Sequence, residues 1–140
     1  MATTPQSPKY HYPGTVTRAL LDAAPRAADG AKLLRYTNPD SGGAVMPSLD
    51  CYAMRLAAGA ATRARRSTWN TICLVVNGTG RSTIRSDAGD KTFEWERDDV
   101  FTIPHWNWAS HTALGADADL FLVTDRSLFE QLDLVREELQ

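Results

Sequence analysis

Residues 71–103 read TICLVVNGTGRSTIRSDAGDKTFEWERDDVFTI, and how this stretch is cut into elements decides the fold. Thr71 to Val76 is an unbroken apolar run of strand length, which predicts burial on both sides. Asn77-Gly78 closes it with a hairpin signal, because both residue types tolerate positive φ. Arg81 to Ser86 then alternates, and Asp87-Ala88-Gly89-Asp90 supplies the next turn. Lys91 to Glu96 places Phe93 and Trp95 on one face and the two glutamates on the other. Asp99 to Ile103 is a further strand, closed by Pro104. Strands at roughly ten-residue spacing argue for an antiparallel barrel or jelly roll.

Working outward, Cys51 to Ala57 alternates in part, with Tyr52, Met54 and Leu56 on one face, and Asp119 to Thr124 is the last clear strand. Thr15 to Ala24 predicts a short helix with Leu20 and Leu21 on its apolar side, ended by Pro25. Asn38 to Gly43 is a turn cluster with Pro47 close behind. Ser127 and Glu130 fit a capping box, predicting an amphipathic helix over about 127–139 with Leu128, Leu132 and Val135 inward. Residues 1–14, rich in Pro, Ser and Thr, read as an extended lead-in. The expected organisation is one domain over residues 15–140, with its barrel core at about 48–125.

A chain of 140 residues is long enough to close one core. The formal net charge of −2 and the brevity of the basic cluster Arg63, Arg65, Arg66 argue against a nucleic-acid partner. No segment approaches the roughly eighteen apolar residues of a membrane span. Residues 1–14 lack the apolar centre of a secretory signal, so a cytoplasmic protein is expected. Cys51 and Cys73 sit in apolar runs and are expected to be buried free thiols.

Residues 59–80, GAATRARRSTWNTICLVVNGTG, and 97–113, RDDVFTIPHWNWASHTA, have the spacing of the two sequence motifs of the cupin family. Gly59, the VVNGTG ending and Pro104 fit those motifs. More narrowly, KYHYPGTVTRALL, LLRYTNPDSGGAVMPSLDCY, DDVFTIPHWNW and DRSLFEQLDLVREE resemble the C-terminal half of the gentisate and salicylate 1,2-dioxygenases, over about residues 9–138. The fold implied is all-β: a single cupin (jelly-roll) barrel with a short N-terminal helix and a C-terminal helix.

The same resemblance places the motif histidines on Arg65 and Ser67, the motif glutamate on Thr71, and the second-motif histidine on Ala109. Non-haem iron needs two or three imidazoles, often with a carboxylate. A permanent guanidinium, two hydroxyls and a methyl group do not supply them. In these relatives the iron belongs to the N-terminal cupin, so no cofactor and no catalytic residue carries over. His11, His105 and His111 form no replacement set at usable spacing, although His105 and His111 with an Asp or Glu are the alternative for Fe(II).

The candidate ligand pocket is Arg65, Trp69, Trp106, Trp108 and His111. Arg65 can offer a small carboxylate two hydrogen bonds at once, or lie on a solvated loop. His111 shares the inward direction of residue 109 by alternation and can bond a ligand, act as a base, or be a satisfied core histidine. The tryptophans can wall a planar ligand or plug the barrel mouth. Three functions follow: a non-redox binder of a small aromatic or carboxylate ligand, an assembly module pairing as a homodimer or with a separate N-terminal cupin, and a ring-cleaving dioxygenase with an atypical metal site.

Overall fold

The structure, a computed structural model, describes residues 2–3 and 10–140. Residue 1 and residues 4–9 of the expected lead-in lie outside the described residues. The element order is β1 (Ala2–Thr3), α1 (Gly14–Ala23), β2 (Lys32–Arg35), β3 (Asp50–Leu56), β4 (Arg65–Ser67), β5 (Thr71–Ser86), β6 (Gly89–Trp95), β7 (Val100–Ile103), β8 (Trp108–Thr124), α2 (Arg126–Gln131) and β9 (Glu137–Leu139). All strands join one curled sheet, ordered β1-β2-β3-β8-β4-β9, with β5 pairing β6, β7 and β8. The described residues form an all-β barrel with two short helices.

The alternation of β3 and β6 builds the core as their sequences dictate. Tyr52, Met54 and Leu56 join Trp95, Cys73, Val75, Leu120 and Leu122 in one buried cluster. Leu21 of α1 packs on Leu34 and Ala53 in a smaller cluster outside the sheet, with Leu20 against its edge. Ala24 carries the extended backbone that leads into Pro25, so the helix stops where proline requires.

Three local expectations differ from what is found. Thr71 to Val76 is not buried on both sides. Thr71, Cys73 and Val75 face inward, while Ile72, Leu74 and Val76 are 50%, 38% and 48% exposed. No helix or second layer covers that outer face among the described residues. Asn77-Gly78 is not a hairpin either: β5 runs on through it, pairing with β8 from Thr71↔Thr124 to Arg85↔Trp108. The register shifts on both sides of Asn77, so the pair forms an irregularity that bends the ribbon. Gly78, at φ 91°, also lies where a Cβ would meet Ala118 at 2.9 Å. Positive-φ tolerance serves a bulge as well as it serves a turn.

The C-terminal helix is the third difference. It covers only Arg126–Gln131, and Asp125 rather than Ser127 holds the cap position, making no side-chain cap bond. The Asp125 carboxylate accepts from the Asn70 backbone and side-chain nitrogens at 2.8 and 3.0 Å. Glu130 faces Arg126 instead of completing a capping box. The chain reverses at Asp133, at φ 55°, and residues 137–139 become β9 on the edge of β4. Leu128 and Leu132 are consequently exposed.

Candidate functional site

Three strands bring the site together. Residues Arg65 of β4 and Ala109 of β8 are direct cross-strand partners. Ser82 of β5 stands opposite His111 of β8. Alternation therefore turns 109 and 111 the same way, and both are buried. They line a cavity of about 440 Å³ with Arg65, Ser67, Trp69 and Thr71. Leu33, Tyr52, Met54, Ile103 and Leu122 give its apolar walls, and Asp29, Arg126 and residues 137–139 of β9 complete it.

Arg65 lies 3.6 Å from Glu137 Oε1 and 3.9 Å from Asp29 Oδ2. Both are beyond hydrogen-bond distance, so Arg65 makes charge contacts with the two carboxylates in the cavity wall without a formed hydrogen bond. Trp69 is buried beneath Arg126, whose guanidinium carbon sits 5.0 Å from the ring centroid. Arg126 Nη1 donates to Tyr52 Oη at 3.1 Å, and Tyr52 donates to Asp50 Oδ2 at 2.6 Å. Burial, then the bond to Asp50, pushes the Tyr52 phenol up to about 12. Asp50 is fully buried and also paired with Arg35. Arg126 Nε has no hydrogen bond, although Glu130 Oε1 lies 3.3 Å away.

His111 is held on every side but one. Its backbone N donates to Thr62 Oγ1 at 3.0 Å, and Thr62 N donates to its carbonyl at 2.8 Å. Nδ1 is 2.7 Å from Ser82 Oγ, which also accepts from Trp95 Nε1 at 2.8 Å. Burial, reinforced by the Arg65 charge and opposed by Asp29, lowers the His111 pKa to about 4. The ring is neutral at physiological pH.

The remaining sequence candidates lie elsewhere. Trp106 and Trp108 do not line the cavity; they flank Arg66, whose guanidinium carbon is 4.3 and 4.7 Å from their ring centroids. Arg66 Nη2 in turn donates to Glu138 at 2.7 Å, binding the indoles, β4 and β9 into one clamp. His105 is exposed, with Nδ1 bonded to the Thr68 carbonyl and its ring stacked on Phe129. Among the described residues, no three His, Cys, Asp or Glu side chains gather as a metal-binding group. Cys73 is a buried free thiol pushed up to about 12 by burial, whereas Cys51 is half-buried.

Ser82, Thr62, Asp29 and Arg126 escaped the sequence reading. Ser82 left one legible trace: a small polar residue on the inward side of an alternating strand, where a buried indole N–H needs an acceptor. Thr62, Asp29 and Arg126 reach the cavity from loops and a helix start, and no periodicity marks them.

No family model matches the chain. It is 35% identical over 138 residues to the 5-aminosalicylate 1,2-dioxygenase of Comamonas sp., covering 94% of this chain and 35% of that protein. It is 35% identical to gentisate 1,2-dioxygenase 1 of Aquipseudomonas alcaligenes, covering 94% of this chain and 38% of the relative. The salicylate 1,2-dioxygenase of Pseudoaminobacter salicylatoxidans, solved as an adduct with gentisate, superposes with a TM-score of 0.81 at 30% identity, covering 92% of this chain and 36% of that one. The chain is related to one cupin half of these dioxygenases. It spans little more than a third of the relatives' length. A further likeness, to oxalate decarboxylase of B. subtilis at 23% identity and a TM-score of 0.61, bears on the fold alone.

Proposed function

We propose that the chain is a metal-free cupin domain, corresponding to the C-terminal half of a gentisate-dioxygenase-like protein, that binds a small aromatic carboxylate without redox chemistry. The observation that carries this reading is Arg65, a guanidinium without a formed hydrogen bond in the wall of a cavity that also presents Trp69 and the apolar side chains Leu33, Met54, Ile103 and Leu122. A planar acid matches a guanidinium set beside an indole and aliphatic walls.

The residues at the family's ligand positions do not fit iron. Arg65, Ser67, Thr71 and Ala109 bring a fixed cation, two hydroxyls and a methyl group to one cavity. The nearest carboxylates, Asp29 and Glu137, flank the guanidinium, and their charge is partly spent on it. The alternative pair of His105 and His111 is split, because His105 stands outside the cavity with Nδ1 on a carbonyl. Elemental analysis of protein purified without chelators, combined with a thermal-shift series on salicylate and gentisate, tests the proposal. Stabilisation by either acid with less than a tenth of an equivalent of iron is the expected result. Stoichiometric iron with oxygen uptake on gentisate would overturn it in favour of a dioxygenase.

An assembly role is the second reading. Ile72, Leu74 and Val76 with Val100 of β7 form an exposed apolar strip, and the dioxygenase relatives carry far more chain than this one. Sedimentation velocity of the chain alone, and mixed with a separate N-terminal cupin, distinguishes a homodimer or a hetero-pair from a monomer.

A further inference from the structure

We propose that Trp95 and Ser82 lock His111 in the neutral tautomer with its proton on Nε2, so that the cavity wall presents a fixed hydrogen-bond donor to an acceptor oxygen of the bound molecule. The ligand half of this statement rests on the binding role proposed above; the tautomer half does not.

The argument is a count of donors and acceptors. The indole Nε1–H of Trp95 can only donate, so it occupies one lone pair of Ser82 Oγ. Ser82 is 1% exposed, and its hydroxyl proton has to find an acceptor inside the protein. The acceptor within reach is His111 Nδ1, at 2.7 Å. A proton on Nδ1, in the other neutral form or in the imidazolium, would aim two donors at Ser82 Oγ and strand the hydroxyl proton in a dry site. Nδ1 therefore accepts, and the ring's single proton sits on Nε2.

The backbone fixes this chain of bonds. Ser82 and His111 are cross-strand partners, as are Ser82 and Phe93, so Trp95 reaches Ser82 diagonally from β6. Gly80, opposite Trp95, makes room for the ring: a Cβ there would fall 2.2 Å from two indole carbons. Thr62 pins the His111 backbone from the other side. Among the described residues Nε2 has no protein partner, and the residue lines the cavity.

Two consequences follow. A protonated Nε2 offers no lone pair, so His111 in this state neither ligates a metal ion through that atom nor takes a proton there. With Arg65 it gives the cavity two donor groups beside the Asp29 and Glu137 carboxylates, and a ligand seated on those two donors is favoured as a carboxylate over the matching carboxamide, whose NH2 would face N–H groups. Trp95 and Ser82 are positioning residues in this scheme.

The test is a long-range 1H–15N correlation spectrum of the uniformly labelled full chain at neutral pH, without ligand and then with salicylate or salicylamide. His111 is expected to show a protonated Nε2 and an unprotonated Nδ1. Ser82→Ala should give mixed tautomers and Ser82→Thr should restore the single form, while Trp95→Phe should loosen it with Ser82 intact. Salicylate should shift the His111 Nε2 resonance, bind about tenfold more weakly to Ser82→Ala, and exceed salicylamide about tenfold in affinity. A protonated Nδ1 in the unliganded wild type overturns the proposal, as does saturating salicylate that leaves Nε2 unmoved. Salicylate that fails to bind at all defeats the ligand role proposed above, and the tautomer is then decided by the unliganded spectrum alone.

Discussion

The two halves of the β5–β8 ribbon obey the same alternation and end up as different things. Before the irregularity at Asn77, the inward residues Cys73 and Val75 stand opposite Leu122 and Leu120; all four are buried and apolar, and Leu122 alone of them reaches the cavity wall. Beyond it, Gly80, Ser82 and Ile84 oppose Ala113, His111 and Ala109. Backbone pairing continues, but apart from Ile84 the side chains are small or polar, so the second half leaves room and carries hydrogen-bonding groups. Side-chain volume, not topology, separates the core from the site.

Emptying the filled half is the strongest way to break this contrast. Leu120→Ala, at a position 1% exposed, should cost about 2–5 kcal/mol in urea unfolding and leave salicylate binding unchanged at temperatures where the variant is folded. Acid probes the other half. His111 is neutral in the folded chain down to about pH 4, whereas in the unfolded chain it takes up its proton near 6.5. The unfolded state thus binds more protons between these values, and this contribution, on the order of 3 kcal/mol, is present above pH 6.5 and lost as pH falls to 4. His111→Gln should flatten that part of the stability–pH curve.

A smaller effect is expected at the cavity wall. Arg65→Met should weaken salicylate by about 10- to 100-fold in isothermal titration, with little change in melting temperature, because its ion pairs are long and partly exposed. The outer face should respond least. Ile72→Thr should shift stability by within about 0.5 kcal/mol, since half of that side chain already meets solvent. A loss of self-association in that variant, read by sedimentation, would give the exposed strip a partner.

The barrel was legible where strands alternate strictly, as at Tyr52, Met54 and Leu56 or Phe93 and Trp95. The first half of β8 was not, because WASHTALG combines small, polar and aromatic residues that carry no strand signature of their own; pairing with β5 makes it a strand. The apolar run 71–76 misled because exposure of one face depends on what else packs there, which no local pattern encodes. The helix expected over 127–139 had the right composition, yet edge pairing with β4 claims its end. At the site, Arg65, placed by the resemblance, and His111, placed by alternation, both line the cavity. Trp106 and Trp108 were misplaced because Trp106 adopts a left-handed backbone, φ 62°, which breaks the alternation and sends both indoles to Arg66.

That distribution of indoles gives the domain a built-in optical reporter. Of four tryptophans, Trp69 alone lines the cavity, whereas Trp95 is locked in the core and the other two stack on an arginine outside. Occupancy should therefore quench or shift only one emitter, and replacing Trp106 and Trp108 by Phe would darken the background without touching the signal.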